Sequence, residues 1–196
     1  MSLGLLAAAL EIRFDHVGQL PDLNTAIELC EEATELCPSS HPYRILLLNR
    51  LATVLYTRFV LSGQSPDLDK AIEIRDCEVA LCPLNHPGRD SSFKKLAGLL
   101  QRRFDRSGLF LDLDKATKCL EQALALHPLG HPDRPSSLSD LAATIYVRFQ
   151  QSGQQSDLER TIELLEEALA LSPGGHPDRV DFIRGSQLLS THGSRD

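Results

Sequence analysis

Three short segments place metal-binding side chains four residues apart: Cys37 with His41, Cys82 with His86, and His127 with His131. Thiolate and imidazole are ligands of zinc, and this separation suits a loop wrapped around one ion. Cys82 beside His86 could equally be a nucleophile with its base, because a neighbouring histidine lowers a thiol's pKa. Arginines recur as well. Arg13, Arg58, Arg103 and Arg148 each precede a phenylalanine, with Asp22, Asp67, Asp112 and Asp157 following at a constant distance. A ladder of guanidinium groups would suit phosphate or carboxylate. Arg44, Arg89, Arg134 and Arg179 form a further set, each two residues after a His-Pro proline.

The spacing of these residues favours a structural account for all of them. His-Pro stands at 41, 86, 131 and 176, Arg-Phe at 13, 58, 103 and 148, and Asp-Leu at 22, 67, 112 and 157, a period of 45 residues without insertion. The histidine recurs because each repeat needs a residue before a proline at a helix start. The cysteine column does not persist, becoming His127 and then Ser172. Neighbouring loops would also lie one repeat apart, roughly 10 Å, too far to share one tetrahedral ion. Each arginine of the ladder travels with its own aspartate, so pairing with that acid or with a helix end accounts for it. There is no glycine-rich phosphate loop, no G-x-S-x-G and no H-E-x-x-H. No catalytic residue, cofactor-binding residue or metal ligand is assigned, and the chain is read as non-enzymatic.

A fixed period of this size marks a solenoid, whose repeats cannot bury their apolar faces alone. Each repeat holds two helical patterns. The first shows Leu138, Leu141, Ala142, Ile145 and Phe149 on one face, with Leu48, Leu51, Ala52, Leu55, Phe59 and Phe93, Leu96, Ala97, Leu100, Phe104 in the same columns. Proline after the histidine fits the first helical position, and Gly63, Gly108 or Gly153 ends the helix. The second pattern opens at Asp67, Asp112 or Asp157, read as N-caps, and carries Leu68, Ala71, Ile72 and Val79 or their equivalents. A proline closes it at 38, 83, 128 and 173. Small residues in two columns, Ala26, Ala71, Ala116 and Thr161, then Ala52, Ala97 and Ala142, allow close helix approach.

These patterns predict an all-α, right-handed α-solenoid of about four antiparallel helix pairs. The repeat array covers 1–179 in units of roughly 1–40, 41–85, 86–130 and 131–175, and 180–196 is a degenerate partial helix and frayed tail. Residues 1–17 match the first helix of a repeat without its His-Pro start. Neither end carries a polar cap, which points to a piece of a longer array or to ends that associate with another copy.

Paired helices with Leu and Ala three and four positions apart, a small residue early in the second helix and a proline closing it resemble the tetratricopeptide repeat. That repeat has about 34 residues, and this one is longer by about three helical turns. The larger unit, DLxxAIxLxxxALxLxPxxHPDR followed by LxxLAxxLxxRFxxxG, looks like the long arrays of fungal proteins that end in a CHAT protease-like domain. Asp157, Leu158, Ile162, Leu164, Ala168, Leu169, Leu171, Pro173, His176, Pro177, Asp178 and Arg179 carry that likeness. The resemblance implies a recognition or assembly arm; no CHAT domain is present and its activity is not carried over. Leu48, Phe93 and Leu138 replace the family's large aromatic residue, and Thr117 and Glu78 interrupt apolar or small columns, so irregular packing is expected around Glu78.

Composition narrows the partners. Lys and Arg total 20 against 27 Asp and Glu, a net charge of -7, which disfavours nucleic acid or an anionic membrane surface. No run of 18 uncharged apolar residues is visible, so no membrane span is expected. MSLGLLAAALEIRF lacks a basic start and runs into the repeat, which reads as helix rather than signal peptide. Five cysteines, an odd number without a persistent framework, fit a reducing, cytoplasmic setting.

Function is expected from what varies between repeats. If the first helices line a concave groove, as the resemblance implies, the residues flanking the Leu-Ala pair face it: Leu46, Asn49, Thr53 and Tyr56; Ser91, Lys94, Gly98 and Gln101; Ser136, Ser139, Ala143 and Tyr146. Tyr56 and Tyr146 would be amphipathic anchors, with Lys94 and Asn49 giving polar recognition of a peptide or helix. The expected role is a protein interaction scaffold binding a protein or peptide partner. The alternative is a self-assembling array, a homo-oligomer through its ends, or a spacer; a metal-binding or Cys/His catalytic protein ranks last.

Overall fold

The computed structural model describes residues 2–172. Among the described residues eight helices follow one another and no strand occurs: α1 Ser2–Val17, α2 Leu20–Leu36, α3 Tyr43–Ser62, α4 Ser65–Leu81, α5 Arg89–Ser107, α6 Phe110–Ala125, α7 Arg134–Ser152 and α8 Gln155–Leu171. The tail expected at 180–196, the turn at His176 and Arg179, and Pro173 lie outside the described residues. The chain divides into two compact units, Met1–Leu99 and Leu100–Asp196, with α5 contributing to both.

In the first unit α1 packs on α2, α2 on α3 and α3 on α4. The apolar columns read from the sequence form this core: Leu48, Leu51, Ala52, Leu55 and Phe59 of α3 are buried against Leu23, Ala26 and Ile27 of α2 and Leu68, Ala71 and Ile72 of α4. Ala26 and Ala71 have no exposed surface, so the small columns sit where the helices approach most closely. α3 is also long and apolar enough to cross a membrane by length and composition, with a mean hydropathy of 1.4, which a reading that looked only for uninterrupted apolar runs missed. Here its apolar face packs between α2 and α4. In the second unit α6 packs on α7 and α7 on α8, with Leu113, Ala116, Leu138, Leu141, Ala142, Ile145, Leu158 and Leu164 buried and Phe149 half-buried. Thr117, expected to disturb its column, is buried and donates its hydroxyl to the Leu113 carbonyl one turn back at 2.8 Å, so no polar atom is stranded.

The helix ends differ from expectation in two respects, each with a physical reason. The first helices do not begin on the His-Pro proline. His41, His86 and His131 each open a turn closed by the Arg44, Arg89 or Arg134 N–H donating to the histidine carbonyl, with proline in the second place. Each histidine Nδ1 accepts the N–H of the residue after the proline, at 3.1 Å in all three copies. The imidazole therefore caps the turn and the helix starts one or two residues later. The second correction concerns Asp67, Asp112 and Asp157. The N-caps are Gln64, Leu109 and Gln154, and each aspartate lies two residues inside its helix. Its carboxylate is used elsewhere, as described below. The glycine stops hold: Gly63 and Gly153 take left-handed conformations, φ 69° and 67°, and donate to the carbonyls of Phe59 and Phe149.

Candidate protein-interaction site

The residues proposed to flank the groove all lie outside the core, half-buried or exposed. In the first unit Leu46, Asn49, Thr53 and Tyr56 lie on α3, and Ser91, Lys94 and Gly98 on α5. In the second, Gln101 lies on α5, and Ser136, Ser139, Ala143 and Tyr146 on α7. Several are already engaged. Gln101 donates to Thr144 Oγ1 at 2.6 Å and Ser139 to the Pro135 carbonyl at 3.0 Å. Tyr56 and Tyr146 occupy the same column of different repeats and pack on Phe59 and Phe149, with ring centres 6.0 and 6.2 Å apart.

Asn49 and Thr53 are tied to a buried network that sequence reasoning missed. Arg75 of α4, 4 % exposed, donates through Nη1 to Asn49 Oδ1 at 2.6 Å and to Glu78 Oε2 at 2.5 Å, and through Nη2 to Thr53 Oγ1 at 2.9 Å. Glu78, 2 % exposed, accepts a hydrogen bond on its other oxygen from Ser92 of α5 at 2.7 Å. Lys95 adds a bond from Nζ to Asn49 Oδ1 at 3.0 Å. Glu78 therefore breaks no packing: it is one half of a satisfied ion pair. The sequence did contain a signal. Arg75 stands in a column otherwise held by Cys30, Leu120 and Leu165, and Glu78 in one held by Ala33, Ala123 and Ala168. Two opposite charges three residues apart on a helix, both in apolar columns, can compensate only each other.

Four members of this network, Asn49, Glu78, Ser92 and Lys95, line a cleft of about 250 Å³ in the first unit. Leu46, Asn49 and Ser91, three of the expected groove residues, line it together with Pro42, Ile45, Glu78, His86, Gly88, Ser92 and Lys95. Its lining combines apolar side chains, Pro42, Ile45 and Leu46, with hydroxyl, amide and ammonium groups. Because Asn49 Oδ1 is held by Arg75 and Lys95, its amide group is fixed in place before any ligand arrives.

The remaining recurrent residues serve the fold. Each ladder arginine clamps its own aspartate through two parallel bonds. In the four copies Nε donates to one carboxylate oxygen at 2.8, 2.8, 2.8 and 2.9 Å, and Nη2 to the other at 2.6, 2.6, 2.7 and 2.7 Å. Arg13 accordingly holds the Asp22 carboxyl below its ordinary value, hydrogen bonding outweighing the opposing effect of burial. The arginines after His-Pro close the preceding helix instead: Arg44 donates to the Thr34 carbonyl at 2.7 Å, Arg134 to the His127 carbonyl at 2.7 Å, and Arg89 to the Cys82 carbonyl. Cys82 is buried, and burial pushes its thiol upward despite the nearby Arg89, the opposite of an activated nucleophile. Burial and the nearby Glu11 likewise push the Cys30 thiol up to about 11.

No protein-family model and no curated protein matches the chain. Among solved structures it is similar to a Podosopora anserina protein of nearly identical TPR-like repeats, titled a putative kinesin light chain. One crystal structure, of a variant with a single substitution, shares 21% identity at a TM-score of 0.69, covering 100% of this chain and 90% of that one. Another shares 21% at 0.63, covering 99% of each. A designed helical repeat protein, DHR64, matches at 19% identity and a TM-score of 0.54 over 97% of this chain and 95% of its own. These likenesses concern the fold, and they agree with the helix pairs and their columns: the chain has the fold of a TPR-like α-solenoid.

Proposed function

We propose that the chain is a non-enzymatic protein interaction module that holds a peptide or helix from a partner protein against the exposed faces of its first helices. The observation that carries this reading is the cleft at Leu46, Asn49 and Ser91, where apolar side chains and fixed polar groups together line a space the size of one or two side chains. That combination suits an extended peptide, which presents an apolar side chain and backbone hydrogen-bonding groups together. Tyr56 and Lys94 belong to the same set of positions in the first unit, and Tyr146 holds the position equivalent to Tyr56 in the second. A net charge of -7 makes a basic or neutral partner the better fit and nucleic acid or an anionic membrane the worse one. We place the module in the cytoplasm, as part of or derived from a larger array with repeat units as read from the 45-residue period.

A second reading rests on α1. Its Leu6 is 51 % exposed, whereas Leu51, Leu96 and Leu141 in the same column are 4, 2 and 1 % exposed. Leu5 is a leucine where the other copies have Arg50, Lys95 and Asp140. A second copy crossing antiparallel at Ala9 would set Leu5 and Leu6 against Ile12, making a self-complementary contact.

One comparison separates the two. Wild type and a Tyr56→Ala, Lys94→Glu, Tyr146→Ala triple variant are used to capture partners from native extract, with circular dichroism confirming equal helix content. The interaction reading expects a partner retained by wild type and lost from the folded variant. Equal retention, or none by either, rejects these residues as the binding face. In that event, mass that grows with concentration in both proteins supports self-assembly, and constant mass supports a spacer.

A further inference from the structure

We propose that the third interhelix loop is a transition-metal site built from His127, His131 and Asp133, taking a divalent ion of the zinc class. One ligand atom from each residue lies within 4.8 Å of those from the other two. His127 is the fixed member. It is 4 % exposed, and its Nδ1 lies 2.7 Å from Ser137 Oγ, the kind of outer hydrogen bond that orients metal-bound histidines. His131 accepts the backbone N–H of Asp133 at Nδ1, so its own proton sits on Nε2; taking an ion means giving up this turn bond, with Nδ1, 3.9 Å from Asp133 Oδ2, coordinating in its place. Asp133 stands at the N-cap of α7 and adds the negative charge.

The repeat explains why only this described loop qualifies. The corresponding trios are Cys37, His41 and Tyr43, then Cys82, His86 and Gly88, each without a carboxylate in the third place. Two columns change together in the third loop, cysteine to His127 and Tyr or Gly to Asp133, and the result is two imidazoles and a carboxylate. That set favours zinc, cobalt, nickel or copper over magnesium or calcium, and three protein ligands leave one position open. The neighbouring cation, Arg134, is paired with Glu167 at 2.6 Å and donates to the His127 carbonyl, so it opposes the ion weakly.

Binding requires a small closure. The two imidazoles are stacked, with centroids 4.3 Å apart and planes 16° from parallel, whereas ligand lone pairs must converge on one point. Ligand atoms around a tetrahedral ion sit about 3.4 Å apart, so the atoms must approach by up to about 1.4 Å. His131 and Asp133 supply this movement: their side chains are 34% and 65% exposed, on a turn, while His127 stays seated on Ser137.

The test is titration of the untagged chain with cobalt(II) followed by visible absorption, repeated with zinc by calorimetry. Wild type is expected to take up one equivalent without the near-ultraviolet charge-transfer band of a cobalt–thiolate bond. Asp133→Asn, which keeps the size of the side chain and the Nδ1 contact of the turn, should weaken binding by more than about tenfold, and Ser137→Ala by about tenfold to a hundredfold. A Cys37→Ser, Cys77→Ser variant should bind as wild type does. The proposal is overturned by the absence of saturable binding, by unchanged affinity in Asp133→Asn, or by loss of binding in the cysteine variant. Equal circular dichroism of all four proteins separates lost ligation from lost fold.

Discussion

Replacing Glu78 with alanine should lower the stability of the chain by about 3–5 kcal/mol, because it strands the Arg75 guanidinium in the core. Arg75→Leu should cost a similar amount by leaving the Glu78 carboxylate with only the Ser92 hydroxyl. The double variant Arg75→Leu, Glu78→Ala should recover nearly all of the loss, to within about 1–2 kcal/mol of wild type. The reason is internal to the sequence. Those two columns hold Leu120 with Ala123 in the next repeat and Leu165 with Ala168 in the last, so the double change installs a packing that the fold already uses twice. What is not recovered belongs to Asn49, Thr53 and Ser92, whose bonds to the pair are replaced by water at the cleft. Denaturant unfolding of the four proteins gives the coupling directly as a double-mutant cycle. Additive losses would mean that the two charges do not depend on each other.

Removing one clamp should have the next largest effect. Arg103→Met leaves Asp112, 2 % exposed, without the paired donors that neutralise it, at a cost of about 2–3 kcal/mol. The cost falls short of a fully buried pair because the guanidinium side chain keeps 29% of its surface, where solvent screens it. Acid pH should erase the stabilisation from the Arg13–Asp22 clamp. Asp22, whose carboxyl is held below the ordinary 3.8 by Arg13, shows the sign: a group depressed in the folded state stabilises above its unfolded value and loses that contribution as pH falls through its folded value. Wild type and Arg13→Met should therefore differ by a constant amount near neutrality and converge below about pH 4. A difference that persists after the carboxylate is protonated would assign the effect of Arg13 to packing alone.

The fold was legible because the repeat states each rule several times. Leu51, Leu96 and Leu141, or Ala52, Ala97 and Ala142, report one packing position in three copies, so a single apolar column could be read with little ambiguity. Cap geometry was less legible. The expectation that Asp67 caps its helix considered only the preference of aspartate for the N-cap position, whereas the two parallel bonds from Arg58 make a stronger claim on the carboxylate. For the histidines, the proline was a sufficient reason for His-Pro; the Nδ1 bond to the backbone depends on a side-chain torsion that sequence spacing does not carry. Of the groove positions, three can be followed into the structure. Leu46, Asn49 and Ser91 were selected because they vary and flank the core, and they share a cleft. The buried network beside it escaped notice because Glu78 was considered alone, and its sense lies in the bonds to Arg75 and Ser92 that join α3, α4 and α5.

The claim that this cleft engages a partner is tested most directly by placing a photo-crosslinking side chain at Ser91 in one protein and at Glu73, exposed on α4, in another. Each is irradiated in native extract and the adducts are separated by mass. The account predicts a discrete adduct from Ser91, absent from Glu73 and suppressed when Asn49→Ala and Leu46→Ala are added to the Ser91 protein. An adduct formed equally at Glu73, or one at Ser91 that persists after both changes, would contradict it.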